Sequence, residues 1–202
     1  MAEQRKSLES PSQTAGPYLH IGCAPSIEAI SQFGADLGAN LKMGPVRGQE
    51  IVLRGRVFDG AGEPVLDAMI EIWQADASGV YRTDMTGAEP DPGFRGWGRC
   101  MCDFETGAYS FDTIKPGAVP WPDGRMQAPH ILIWIAARGI NLALQTRVYF
   151  PDEPDANAAD SVLREVAKAG REATLIARAE AEDTYVFDIH LQGQSETVFL
   201  DV

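Results

Sequence analysis

The sequence predicts an all-β protein: an antiparallel β-sandwich with a long N-terminal arm and a few short helices. Three observations predict it. From Glu50 onward apolar residues alternate with polar ones in short runs. Glycine and proline, 20 and 13 of 202 residues, cut those runs at close spacing. Beyond Glu50, only the stretch between Pro154 and Arg178 has the longer period of a helix. Many short strands separated by turns bury one face each, and two sheets packed face to face satisfy them.

Residues 1 to about 24 read as an arm, because Pro11, Gly16, Pro17 and Gly22, with Pro25 just beyond, interrupt any period. Ser26 can cap a short helix through Ile27, Ile30 and Phe33 that ends by Gly34, and Gly38, Gly44, Pro45 and Gly48 then mark a loop. Ile51, Leu53 and Val57 share one side of a strand that stops at Asp59-Gly60. Val65 to Gln74 is apolar on both faces, the pattern of an inner strand, and turns at Asp76-Ala77-Ser78-Gly79. Tyr109 and Phe111 alternate with Ser110 and Asp112 after the turn Glu105-Thr106-Gly107. Further strands are expected over Ile131–Ala137, Thr146–Phe150, Tyr185–Leu191 and Thr197–Val202, with Tyr185, Phe187, Ile189 and Leu191 on one face against the core. Val162, Leu163 and Val166 have helical spacing, and Gly170 is placed to stop that helix. The whole chain, 1–202, reads as one domain: arm, helix and loop over 1–48, sandwich core over 49–202.

A 45% hydrophobic content is enough for a core in a chain of this length. The net charge of −12 and the acidic pI near 4.6 argue against nucleic acid and against an anionic membrane surface as partners. Cys23, Cys100 and Cys102 are odd in number and hold no Cys-x-x-Cys pair, so small buried thiols are expected, not a disulfide framework or a metal site. Cys100 and Cys102 would lie on one face of an extended strand. The start, Met1 to Lys6, has no apolar signal region, so a cytoplasmic protein is expected.

The run Lys115-Pro116-Gly117-Ala118-Val119-Pro120-Trp121, then Asp123-Gly124 and Ala128-Pro129-His130-Ile131-Leu132, resembles the intradiol catechol dioxygenases. Ile70 to Asp76, Gly139-Ile140-Asn141 and Thr184 to Val202 extend the likeness over most of the chain. It is similar above all to the protocatechuate 3,4-dioxygenases, two-chain enzymes with ferric iron in one chain. By that resemblance the iron-bearing chain has a tyrosine at the position of Val119 and a His-Ile-His run where this one reads His130-Ile131-Leu132. A second tyrosine ligand would fall nearest Thr86, and no tyrosine lies between Arg82 and Phe94. Valine and leucine offer no lone pair, and one imidazole cannot hold ferric iron. Metal ligands are therefore expected to be absent here. Fe(3+) is expected in a homologous β chain, with this polypeptide as the α-type subunit of a large symmetric αβ oligomer. His130 itself is expected to be a hydrogen-bonded core histidine. His20 and His190 are isolated.

The resemblance also implies which residues meet the substrate. Ser12 to Tyr18 is similar to the arm of an α-type subunit, which places Thr14, Ala15, Gly16, Pro17 and Tyr18 at a site shared with the β chain. Ala15 and Gly16 present backbone without bulk to a flat ring, and Pro17 pushes Gly16 toward an extended conformation. Tyr18 either packs at the interface or donates a hydrogen bond into the site. Arg138, at the end of an apolar strand, is suited to a planar carboxylate; a plain ion pair with one of the many acidic residues is the alternative. Arg147 is a weaker candidate, standing where the iron-bearing chain has glutamine, while Gln127 replaces an arginine of that chain. The function implied is support of intradiol cleavage of 3,4-dihydroxybenzoate by O2 in the β-ketoadipate route of aromatic catabolism. A binding or scaffold protein that keeps the fold without joining an enzyme is the alternative. Val119 and Leu132 argue against a self-sufficient metalloenzyme.

Overall fold

A computed structural model describes residues 16, 19–23, 38–83 and 87–201. Two sheets pack against each other around a common core. In the first, β1 (Glu50–Phe58) lies centrally, antiparallel to β4 (Ala108–Ile114) on one side. On its other side it runs parallel to two short strands, β10 (Thr184–Val186) and β11 (Ile189–His190), and β9 (Arg178–Ala181) adds an edge to β10. The second sheet is antiparallel throughout, in the order β3 (Trp97–Met101), β2 (Met69–Trp73), β7 (His130–Ala136), β8 (Leu144–Tyr149). A two-residue ribbon, β5 (Val119–Pro120) with β6 (Met126–Gln127), leads into β7. The expected sandwich is present, with the correction that one sheet contains parallel pairs.

Period two sets which residues enter the core. Ile51, Leu53 and Val57 from β1, with Tyr109, Phe111, Tyr185, Phe187 and Ile189, meet Ile70, Ile72, Ile131, Ile133 and Ile135 of the second sheet. Gly55 interrupts the β1 series for a steric reason: a Cβ there would lie 1.9 Å from the Phe187 carbonyl oxygen. That oxygen accepts a 2.5 Å hydrogen bond from the buried Tyr109 hydroxyl. Beside this pinch the Asp188 carboxylate, not a backbone carbonyl, accepts the Arg56 N–H at 3.0 Å. The single strand expected over Tyr185–Leu191 is consequently two, β10 and β11, although Tyr185, Phe187 and Ile189 all face the core as expected.

Other expectations are corrected in the same way. Thr197–Val202 is not a strand over its described residues. Its bonds go to both sheets, Thr197 N–H to the His190 carbonyl at 2.9 Å and Leu200 N–H to that of Gln145 at 2.8 Å, so no single ladder can form. Leu19–Cys23 forms a one-turn helix, α1, inside the expected arm. The helix expected over Ser26–Gly34 lies outside the described residues. The helical region resolves into α2 (Pro154–Ala159), α3 (Ser161–Ala167) and a 3-10 turn (Glu172–Leu175). α3 ends at Ala167 with Lys168 as its cap, before Gly170, which takes φ +66° in the turn that follows. Cys100 and Cys102 both pack toward the core, and none of the three cysteines is in a disulfide.

The two turns that carry much of the family likeness interlock. Gln74 is fully buried and bridges the sheets, donating to the Ile114 carbonyl at 2.9 Å and accepting from Thr113 Oγ1 at 2.7 Å. Asp76 accepts the N–H groups of Ser78, Val80 and Asp91, and its carbonyl accepts that of Gly117 at 2.9 Å. Gly117 must be glycine for this approach, since a Cβ would sit 2.6 Å from the Ala77 oxygen. The loop before β5 is thereby held against the end of β2.

Candidate functional site

With Ile131, Ile133 and Ile135 turned into the core, β7 presents His130, Leu132 and Trp134 on the opposite face of its sheet. By the same alternation β8 presents Arg147 and Tyr149 there, and β2 presents Trp73. The β5–β6 ribbon pairs Val119 with Gln127, and Gln127 reaches Arg147. Residues from four elements meet at one centre.

His130 is 2% exposed, and its Nδ1–H donates to the Ala128 carbonyl at 2.7 Å. Burial, and secondarily the Arg147 charge, push its pKa down to about 4, so the ring is neutral at pH 7. The Arg147 guanidinium donates to Gln127 Oε1 at 3.0 Å and to the Tyr149 hydroxyl at 3.4 Å, and lies 5.9 Å from the centroid of the Trp121 ring. Arg147 Nε and Trp121 Nε1 are both buried, and neither has a hydrogen-bond partner. Asp160, fully buried, accepts from the Tyr149 hydroxyl at 3.2 Å and from Ala128 N–H at 3.0 Å, and also caps α3. Burial raises the pKa of Tyr149 and of Tyr81, so both phenols stay protonated.

These residues do not fit ferric iron. The centre offers one imidazole, the Tyr149 phenol already hydrogen-bonded to Arg147 and Asp160, the hydrocarbon side chains of Val119 and Leu132, and a permanent cation that a metal ion would have to approach. Among the described residues no group of three His, Cys, Asp or Glu could hold a metal ion. Thr86 lies outside the described residues.

Of the substrate-facing residues expected from the sequence, only Gly16 and Arg138 are among the described residues. Thr14, Ala15, Pro17 and Tyr18 lie outside the described residues. Gly16 has φ +73°, a positive angle and not the expected extended one, which glycine adopts without a Cβ penalty. Arg138 does not join the Arg147 centre. It stands in the turn after β7 with its side chain 65% exposed and its Nε 3.4 Å from Asp67, bordering an open depression that also includes Asp59 and Gln192. Tyr149 and Asp160 were not singled out from the sequence. Asp160, directly before the Val162-Leu163 helical pattern, has the signature of a helix cap.

A profile described as "Dioxygenase" matches residues 25–193. The chain belongs to the intradiol dioxygenase family. It is 42% identical over 196 residues to the protocatechuate 3,4-dioxygenase alpha chain of Pseudomonas putida, covering 96% of each chain. It is also 38% identical over 182 residues to the protocatechuate 3,4-dioxygenase beta chain of Burkholderia cepacia, covering 84% of this chain and 76% of the relative. Among solved structures, the dioxygenase domain of a dioxygenase and carbohydrate-binding protein fusion from Streptomyces sp. SirexAA-E superposes with a TM-score of 0.58 at 26% identity, covering 90% of this chain and 97% of that one.

Proposed function

We propose that this chain is the non-iron-binding α subunit of a protocatechuate 3,4-dioxygenase. Paired with a β chain that holds Fe(3+), it supports cleavage of 3,4-dihydroxybenzoate between its hydroxylated carbons, both atoms of O2 entering the product 3-carboxy-cis,cis-muconate. The observation that carries this reading is a centre in which Val119 and Leu132 stand where the resemblance implies metal donors and the Arg147 cation lies beside them, in a chain similar to an alpha chain along 96% of its length. The chain's own task is positional. Thr14 to Tyr18 line the shared site, and Arg138, held only loosely by Asp67, is free to turn toward a substrate carboxylate. The assembly is a large symmetric αβ oligomer in the cytoplasm. Among the described residues no helix is long and apolar enough to cross a membrane.

Expression of this chain alone and together with its β partner tests the reading. Alone it should bind no stoichiometric iron and consume no O2 with 3,4-dihydroxybenzoate; together the two should co-purify with iron and turn over. In that complex Arg138→Ala should raise KM by the equivalent of about 1.5–3 kcal/mol with iron content unchanged. Iron and ring cleavage in the isolated chain would overturn the proposal, and unchanged kinetics would remove Arg138 from the site.

A further inference from the structure

The sheet face beside Arg147 contains a cavity of about 160 Å³. Its walls are aromatic and apolar: Trp73, Trp97 and Trp134, with Leu132 between them and Arg147 at one side. A dry cavity of about 150 Å³ accommodates one benzene ring, so this one has room for a single aromatic ring. The walls are already held in place. Trp73 stacks on Tyr81 at 6.1 Å between ring centroids with the planes 10° apart. Trp97 lies under the Arg99 guanidinium, 5.2 Å from the ring centroid, and Arg99 Nε is bound to Glu71 Oε1 at 2.7 Å.

The cavity is lined by two charged side chains, Glu71 and Arg147. Glu71 and Arg99 neutralise each other. Arg147 has no carboxylate within salt-bridge distance among the described residues; it donates instead to the neutral Gln127 and Tyr149. Its Nε–H is buried and unpartnered. A ring-sized aromatic slot lined at one side by a guanidinium that is in no salt bridge, with the Asp160 carboxylate reached only through the Tyr149 hydroxyl, has the chemistry of a site for a flat aromatic acid.

We propose that this cavity binds an aromatic monocarboxylate without turning it over, the ring among Trp73, Trp97 and Trp134 and the carboxylate on Arg147. The inference goes beyond the proposed function and does not rest on it, because every residue of the site belongs to this chain. Titration calorimetry of the full chain with benzoate, the ring-free acetate and the uncharged benzamide tests it. Benzoate should bind with one equivalent per chain, and acetate and benzamide each at least about ten-fold more weakly. Arg147→Gln should weaken benzoate by at least about ten-fold and leave benzamide unchanged. Leu132→Phe, which fills the slot without altering charge, should abolish binding of both ring compounds. No saturable benzoate binding to the free chain, acetate as tight as benzoate, or benzoate binding unaffected by Leu132→Phe would each overturn the proposal. If Arg147→Gln does not fold, the three-ligand comparison and Leu132→Phe still decide. Absence of an iron-bearing partner would refute the enzyme reading and leave the free-chain titration intact.

Discussion

Gln127 and Arg147 hold each other at 3.0 Å across the centre that, by family resemblance, an iron-bearing chain builds with arginine and glutamine at the opposite positions. The exchange moves a permanent cation onto β8, next to His130 and Tyr149. A guanidinium there reinforces the effect of burial on His130 and keeps the imidazole neutral. The linkage has a definite sign. His130 titrates near 6.5 in the unfolded chain and near 4 in the folded one, so its contribution to stability is intact above about pH 6.5 and is lost as pH falls toward 4. The side-chain amide introduced by His130→Asn would keep a donor for the Ala128 carbonyl and would not titrate. Between pH 7 and 4.5 the wild type should therefore lose on the order of 2 kcal/mol more stability than this variant. Urea midpoints measured at several pH values check it, and parallel acid losses in the two proteins would refute the assignment. The position of His130 in the core was legible in its sequence, flanked by Pro129 and Ile131. The role of Arg147 was not, because apart from Tyr149 on its own strand the groups that surround it come from other segments: Gln127, His130, Tyr81 and Trp121.

At the scale of elements, Asp160 does the most with one side chain. It stands where α2 ends and α3 begins: its backbone N–H closes α2 onto the Ala156 carbonyl at 3.0 Å, and its carboxylate accepts the N–H groups of Val162 and Leu163. The same carboxylate satisfies Ala128 N–H just before β7 and the Tyr149 hydroxyl at the end of β8. Asp160→Ala removes a cap worth about 1 kcal/mol and strands two further buried donors, for a total loss on the order of 3 kcal/mol. Asp160→Asn, a cap of nearly equal quality, should lose less. Denaturant midpoints of the two variants separate the cases, and a loss under about 1 kcal/mol for alanine would contradict this account. Elements with a clean period were readable in advance: β1, β4, β7 and the Val162 helix. β9 was not, because Arg178-Ala179-Glu180-Ala181 is exposed throughout and has no apolar alternation to betray it. The break between β10 and β11 was equally hidden, since it arises from Gly55 and Tyr109 crowding the Phe187 carbonyl from other strands.

Across the whole molecule, the two sheets are joined by polar contacts as well as by the apolar core. Gln74 at the end of β2 reaches Thr113 and the Ile114 carbonyl on β4. Gln74→Leu should cost about 1–3 kcal/mol in urea unfolding, because both partners stay buried without a replacement. A change within error would mean that the sheets do not depend on this link. The amino-acid sequence by itself determined that this protein is a sandwich of short strands and that Val119 and Leu132 cannot ligate a metal. Periodicity and the presence of a lone pair are properties of the residues themselves and survive any arrangement of the chain. Only the tertiary structure decided that Arg147 donates to Gln127 and Tyr149 beside His130, and that three tryptophans from three strands line a ring-sized cavity beside it. Convergence of that kind depends on strand register and on which sheet face each residue takes, and both are set by pairings between segments far apart in the chain.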